Sequence, residues 1–176
     1  QTIFRHEDRV CEGCAADGWH GQDEPMIVDN REQVLDPMTA YQMTSMLEGV
    51  VQRGTARVVA DVGKPIAGKT GTTSDYHDAW FVGFSPDLAV GVYVGYDKPR
   101  SLGRGATGGG LAAPIFTEFM KMALAEKPAV PFRVPPGLNF IPINRKTGLR
   151  ANPGDPDTIL EAFKPGTAPP DTYSII

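Results

Sequence analysis

Apolar and polar positions change their spacing several times along this chain. Residues 1–35 are polar and carry no sustained period. After Asp36, apolar residues at Ala40, Met43, Leu47, Val50 and Val51 fall at the spacing that lines one face of a helix. Asp36-Pro37 supplies an N-cap followed by proline at the first helical position, and Gly54 is a suitable stop. These signals predict a helix over Pro37–Arg53 and a shorter turn over Ala56–Asp61.

From Ile66 the pattern changes to that of strands. They are predicted at Ile66–Thr73, Ala79–Ser85 and Leu88–Tyr96. Ser85-Pro86-Asp87 is turn chemistry, so the last two should pair as an antiparallel hairpin. Helical spacing returns over Leu111–Glu126, where Ile115, Phe116, Phe119, Met120, Ala123 and Leu124 form one broad apolar face, and Pro128 stops it. Residues 128–176 hold ten of the sixteen prolines, with one strand-like piece, Phe140–Asn144, before the turn Lys146-Thr147-Gly148. This segment is expected to be an extended strap, frayed at its end. The fold class is therefore α/β: an antiparallel sheet of at least three strands flanked by helices.

The 176 residues suit one domain or a large piece of one, and an apolar fraction of 41% is enough for a core. A formal charge of −4 with no basic cluster argues against a nucleic-acid partner. The longest apolar run, Leu88–Tyr96, is nine residues, far short of the ~20 that span a bilayer. The chain begins with Gln1 and shows no signal peptide, so it is expected to start inside a larger protein.

Lys69-Thr70-Gly71, continuing as Thr72-Thr73, carries the candidate chemistry. K-T-G is one of three motifs of penicillin-binding proteins and class A β-lactamases, with S-x-x-K and S-D-N. The other two are missing: Ser45, Ser74, Ser85 and Ser101 are followed three residues on by Glu48, His77, Leu88 and Arg104, and no Ser-x-Asn occurs. On a strand at a cleft edge, Lys69 could attract a terminal carboxylate, and the hydroxyls of Thr70 and Thr72 could donate to it. Gly71 would let a substrate approach the backbone, which can pair with an extended peptide. Alternatively, Lys69 is a solvated edge-strand lysine in an ordinary strand.

The flanking segments extend the match. They are Asp78-Ala-Trp-Phe-Val-Gly-Phe-Ser-Pro86, Val90-Gly-Val-Tyr-Val-Gly-Tyr96, Thr107-Gly-Gly-Gly-Leu-Ala-Ala-Pro-Ile-Phe116, Asp29–Pro37 and Val50–Thr55. Together they resemble the C-terminal part of the transpeptidase domain in bifunctional class A penicillin-binding proteins of the 1A type, over about residues 1–165. The resemblance implies a partial penicillin-binding transpeptidase (serine β-lactamase-like) fold over residues 1–127. Within it, 1–35 would be an irregular Cys-containing segment, 36–127 the helix, K-T-G sheet and C-terminal helix, and 128–176 a Pro-rich tail. It further implies a D,D-transpeptidase that cross-links peptidoglycan stem peptides and is acylated by β-lactams, without a cofactor. Lys69 would join the charge network around a serine that this chain lacks, and the Thr72 N–H would form half the oxyanion hole. Lys69, Thr70, Gly71, Thr72 and Thr73 would hold the substrate. The missing N-terminal part would be the partner, would carry a glycosyltransferase domain, and would anchor the protein at the periplasmic side of the inner membrane. The isolated chain is expected to be inactive. A D-alanyl-D-alanine carboxypeptidase or β-lactamase-type hydrolase shares K-T-G, and a non-enzymatic binding module is a further class.

Other signals weigh less. Gly103-Arg-Gly105-Ala-Thr-Gly108 matches G-x-G-x-x-G, yet the preceding strand belongs to a hairpin rather than a βαβ unit, so a loop admitting the helix close to the sheet is expected. Cys11-x2-Cys14, with His6 and His20 nearby, leaves a disulfide, free thiols and a metal open, since the spacing fits no standard finger. His77 has no matched nucleophile and is read as a surface or cleft-rim residue. Asp75 and Asp78 are read as turn and strand-start residues. Trp80, Phe81, Phe84, Tyr93 and Tyr96 are read as core or sheet-face aromatics.

Overall fold

The computed structural model describes residues 9–12, 21, 26–29 and 33–171. It divides into two compact units, Gln1–Asp36 and Pro37–Ile176. In the first, β1 (Arg9–Glu12) pairs antiparallel with β2 (Met26–Asp29). Neither strand was anticipated, because four residues are too few to establish a period of two. Cys14, His6 and His20 lie outside the described residues, and so does the question of the cysteines' state.

The second unit opens with α1 (Pro37–Arg53), matching the predicted bounds. Its chain end is drawn in by Gly54 and Ala56, whose N–H groups both donate to Val50 O at 3.1 and 3.2 Å. A 3₁₀ turn at Arg57–Val62 follows, then β3 (Ala67–Thr72), β4 (Asp78–Phe84) and β5 (Ala89–Gly95). These form one antiparallel sheet in the order β3-β4-β5. Ser85 closes the β4–β5 hairpin: its N–H donates to Leu88 O at 2.9 Å, and its Oγ accepts from the N–H groups of Asp87 and Leu88.

The second helix begins differently from expectation. A π-turn at Gly108–Ala112 precedes α2 (Ala113–Ala123), so regular helix starts two residues after the predicted Leu111. The side chain of Lys64 reaches the carbonyls of Leu124 and Lys127, placing positive charge at the helix's C-terminal end. The broad apolar face divides. Phe116, Met120 and Leu124 are buried against the sheet, whereas Ile115 (52% exposed), Phe119, Met122 and Ala123 face outward. A helix laid on a sheet buries one stripe, and this face is wider than one stripe.

The core joins Val51, Val59, Ile66, Phe81, Phe116 and Met120, with the Phe81 and Phe116 rings edge-to-face at 4.7 Å. Truncating a ring this deeply buried typically costs about 3–5 kcal/mol. Met43, predicted to face inward, is instead half exposed at the border of the α1 stripe.

The Pro-rich segment is more ordered than a strap. β6 (Asn139–Asn144) pairs antiparallel with β7 (Thr158–Phe163), and β7 was not anticipated. Both pack on α1: Gln42 Nε2 donates to Ala162 O at 2.8 Å, Lys164 Nζ to Thr39 Oγ1 at 2.5 Å, and Tyr41 meets Phe140 edge-on. No helix of the described residues is long and apolar enough to cross a membrane.

Candidate functional site

Strand β3 holds every predicted site residue except Thr73, which follows it directly. One long edge of β3 pairs with β4; the other pairs with no strand among the described residues. The Thr73 N–H donates to Asp78 O at 3.1 Å, which fixes the phase of the ladder. In an antiparallel pair the direction of N–H and C=O alternates, so Lys69 and Gly71 also point toward β4. Gly68, Thr70 and Thr72 therefore present their N–H and C=O groups at the open edge.

Side chains alternate between the two faces of the sheet. Thr70 and Thr72 share the face of Phe81, toward α2, while Lys69 and Gly71 share the face of Val82 and Trp80. Lys69 nevertheless bends back across the open edge. Its Nζ donates to Thr70 O at 2.9 Å and approaches Thr70 Oγ1 at 3.4 Å. The ammonium is only a donor, so the Thr70 hydroxyl keeps its own hydrogen for another acceptor. Thr55 Oγ1 lies 2.9 Å from Thr70 Oγ1, brought there by the corner between α1 and the 3₁₀ turn. Three polar groups thus converge on the open edge. Thr55 was missed as a site residue because nothing in its local pattern marks a contact fifteen residues along the chain.

The loop matching G-x-G-x-x-G packs onto this strand, as the loop reading expected. The Gly108 N–H donates to Thr72 Oγ1 at 3.0 Å. That hydroxyl then accepts from the loop and retains its hydrogen to donate outward. A Cβ at Gly108 would collide with the Trp80 carbonyl and lie 2.5 Å from Gly71 O, so only glycine allows the approach. The loop is tied down upstream by Leu102 N–H to Tyr76 O at 2.8 Å and Ser101 Oγ to Asp75 O at 2.7 Å.

Thr73 is committed elsewhere. Its hydroxyl accepts from the Asp78 N–H at 2.8 Å and donates to Asp78 Oδ2 at 3.3 Å, closing the turn that contains His77. Among the described residues, no serine hydroxyl is hydrogen-bonded to Lys69 or His77. The arrangement combines an unpaired strand edge, an ammonium and donor hydroxyls, which can hold an extended peptide ending in a carboxylate.

Comparison with known proteins identifies the family. The family model described as "Penicillin binding protein transpeptidase domain" matches residues 22–121. Penicillin-binding protein 1A of Rickettsia bellii (strain RML369-C) is 42% identical over 167 residues, covering 93% of this chain and 21% of that protein. Penicillin-binding protein 1A of Pseudomonas aeruginosa is 44% identical over 145 residues, covering 82% of this chain and 18% of the relative. The crystal structure of penicillin-binding protein 1A from Haemophilus influenzae superposes with a TM-score of 0.73 at 33% identity, over 83% of this chain and 23% of that one. The chain thus spans about a fifth of the length of the relatives it matches.

Proposed function

The chain belongs to the penicillin-binding protein transpeptidase family, and on that premise we propose that it forms the substrate-holding wall of a serine-type D,D-transpeptidase. The parent activity is cross-linking of peptidoglycan stem peptides, with acylation by β-lactams as its inhibited form. The observation that carries this reading is the open edge of β3, where Lys69 Nζ, Thr70 Oγ1 and the outward-directed groups of Thr72 meet. Lys69, Thr70 and Thr72 hold the terminal carboxylate of a stem peptide or a penicillin, and Gly71 leaves room for the bound backbone beside the strand. Thr73 serves through its backbone at the strand's end. The Thr72 N–H points to the open edge and supplies one donor to the oxyanion formed as a serine attacks the acyl carbon. That serine, its S-x-x-K lysine and the S-x-N motif belong to a part of the protein outside this sequence. The glycosyltransferase domain and a membrane anchor lie there too, placing the site in the periplasm. The family match ends at residue 121, which favours a transpeptidase portion closing near residue 127 and an appended Pro-rich segment that carries the β6–β7 hairpin.

The test is acylation kinetics of Lys69→Ala in the complete protein. Losing a charge-assisted hydrogen bond costs about 1.5–3 kcal/mol, so second-order acylation by penicillin should slow by at least about tenfold. Lys69→Arg keeps the charge with altered donor geometry and should fall between the two. Parental rates in a correctly folded Lys69→Ala protein would refute the assignment.

A further inference from the structure

The face of the sheet shared by Lys69 carries polar chemistry that the proposed site does not use. Two cross-strand rows lie there, Lys69 with Val82 and Gly91 and Gly71 with Trp80 and Tyr93, and beyond the strand end Thr73 bonds Asp78, which pairs with Gly95. Asp78 is the hub of this end. Its Oδ1 accepts from Tyr93 OH at 2.9 Å, its Oδ2 from Thr73 Oγ1 at 3.3 Å, and its N–H donates to Thr73 Oγ1 at 2.8 Å. The Tyr93 ring packs against Trp80 at 4.6 Å with the rings tilted by 44°, and Trp80 sits opposite Gly71 in the register. Gly95, paired with Asp78, makes this possible, since a Cβ there would overlap the Tyr93 hydroxyl and lie 2.8 Å from Asp78 Oδ1. The hydrogen bond to Asp78, then partial desolvation and the negative charges of Asp78 and Asp97, hold the Tyr93 phenol above its ordinary range.

The end of β3 is held on the α2 face by the Gly108 N–H on Thr72 Oγ1, and on the other face its side-chain anchor is Asp78. Thr72 and Thr73 are exposed, and the chain leaves the strand through a turn in which Asp75 and Tyr76 both have φ of 56°. Asp75 and Tyr76 are therefore strained rather than self-stabilising. The contacts of Thr73 with Asp78 close that turn, and Tyr93 is the third point that fixes the direction of the Asp78 carboxylate.

We propose that Tyr93 and Asp78 are positioning residues: through Thr73 they fix the direction of the Thr72 N–H at the open edge. This rests on the reading of β3 as the substrate-holding strand. A donor to an oxyanion acts mainly in the transition state, so misdirecting it slows the bond-forming step more than it weakens binding. Carboxylate capture by Lys69 and Thr70 lies at the other end of the motif, and the Thr72 hydroxyl is held separately by the Gly108 N–H, so capture is left in place.

The experiment measures acylation of the complete protein by a chromogenic β-lactam, separating the saturating rate from the half-saturating concentration, with thermal unfolding alongside. Tyr93→Phe removes one surface oxygen and should lower the saturating rate about three- to tenfold at an unchanged half-saturating concentration. Asp78→Ala should lower it at least about tenfold, and Asp78→Asn less, because the amide oxygen still accepts from Tyr93. If Asp78→Ala fails to fold, Tyr93→Phe still decides. A parental saturating rate in Tyr93→Phe, or a change confined to half-saturation or to melting temperature, overturns the proposal. Lys69→Ala separates the two levels: if it is slow while Tyr93→Phe and Asp78→Asn are not, only the clamp is wrong. If Lys69→Ala is itself unaffected, the reading of the site fails and the clamp with it.

Discussion

Lys69 and Thr70 are neighbours in the chain but occupy opposite faces of β3, and they meet only because the lysine folds over an unpaired edge. A tripeptide motif gives the residue types; the edge of the strand brings them together. Thr55 shows the same dependence from the other direction. Its hydroxyl reaches Thr70 from the far end of α1, and no local signal in the sequence assigns it a role. Thr55→Val keeps the shape and removes one neutral hydrogen bond, worth about 0.5–1.5 kcal/mol. Penicillin acylation of the complete protein should then slow by about two- to tenfold, read from second-order rate constants. His77→Ala is the matching control. His77 is half-buried in the turn after β3, without a hydrogen bond to Lys69 or to a serine, so the same measurement should change by less than about threefold. A larger effect for His77 than for Thr55 would reverse these roles.

Among the elements, the predicted sheet and first helix appear with their bounds moved by at most a residue or two, because their patterns are long and their stops are explicit. The start of α2 was less legible. Gly103–Gly108 read as a loop admitting the helix close to the sheet, but the pattern did not show that a π-turn begins at Gly108 or that Gly108 itself is pressed against Gly71 and Trp80. Gly108→Ala would force backbone apart where no side chain can give way. It should cost about 1–3 kcal/mol in denaturant unfolding, and more than Gly110→Ala, where the added carbon lies 3.3 Å from a hydroxyl. The β6–β7 hairpin makes a pH prediction. Asp157 is bonded by Lys146 at 2.5 Å and by Arg145 at 2.6 Å, and these hold its carboxyl below the usual carboxylate range. A depressed folded pKa means the contribution is present above the ordinary carboxylate pKa and disappears as pH falls through the folded one. Amide exchange in β6 and β7, corrected for its intrinsic pH dependence, should therefore lose protection in acid below the ordinary carboxylate range. Asp157→Asn should weaken that pH dependence.

For the whole molecule, the absence of S-x-x-K from this sequence sets the sharpest expectation. This chain alone, incubated with a fluorescent penicillin, should form no stable covalent adduct, because none of its serines is followed by the S-x-x-K lysine. A stoichiometric adduct mapped to any of its serines would contradict the proposed division of the site. The apolar face of α2 bearing Ile115, Phe119 and Met122 shows what local pattern could not say: apolar spacing reveals that a surface seeks burial, and tertiary packing decides which part obtains it. By itself the sequence determined the family, the helix–sheet order and the motif strand, since these rest on contiguous residues and short periods. Tertiary structure alone decided that one edge of β3 has no partner strand among the described residues, that Thr55 and Gly108 meet it, that Thr73 turns to Asp78, and that β7 pairs with β6. Each of these depends on contacts between residues distant in sequence or on the phase of a ladder, and neither is encoded in a local pattern of residue types.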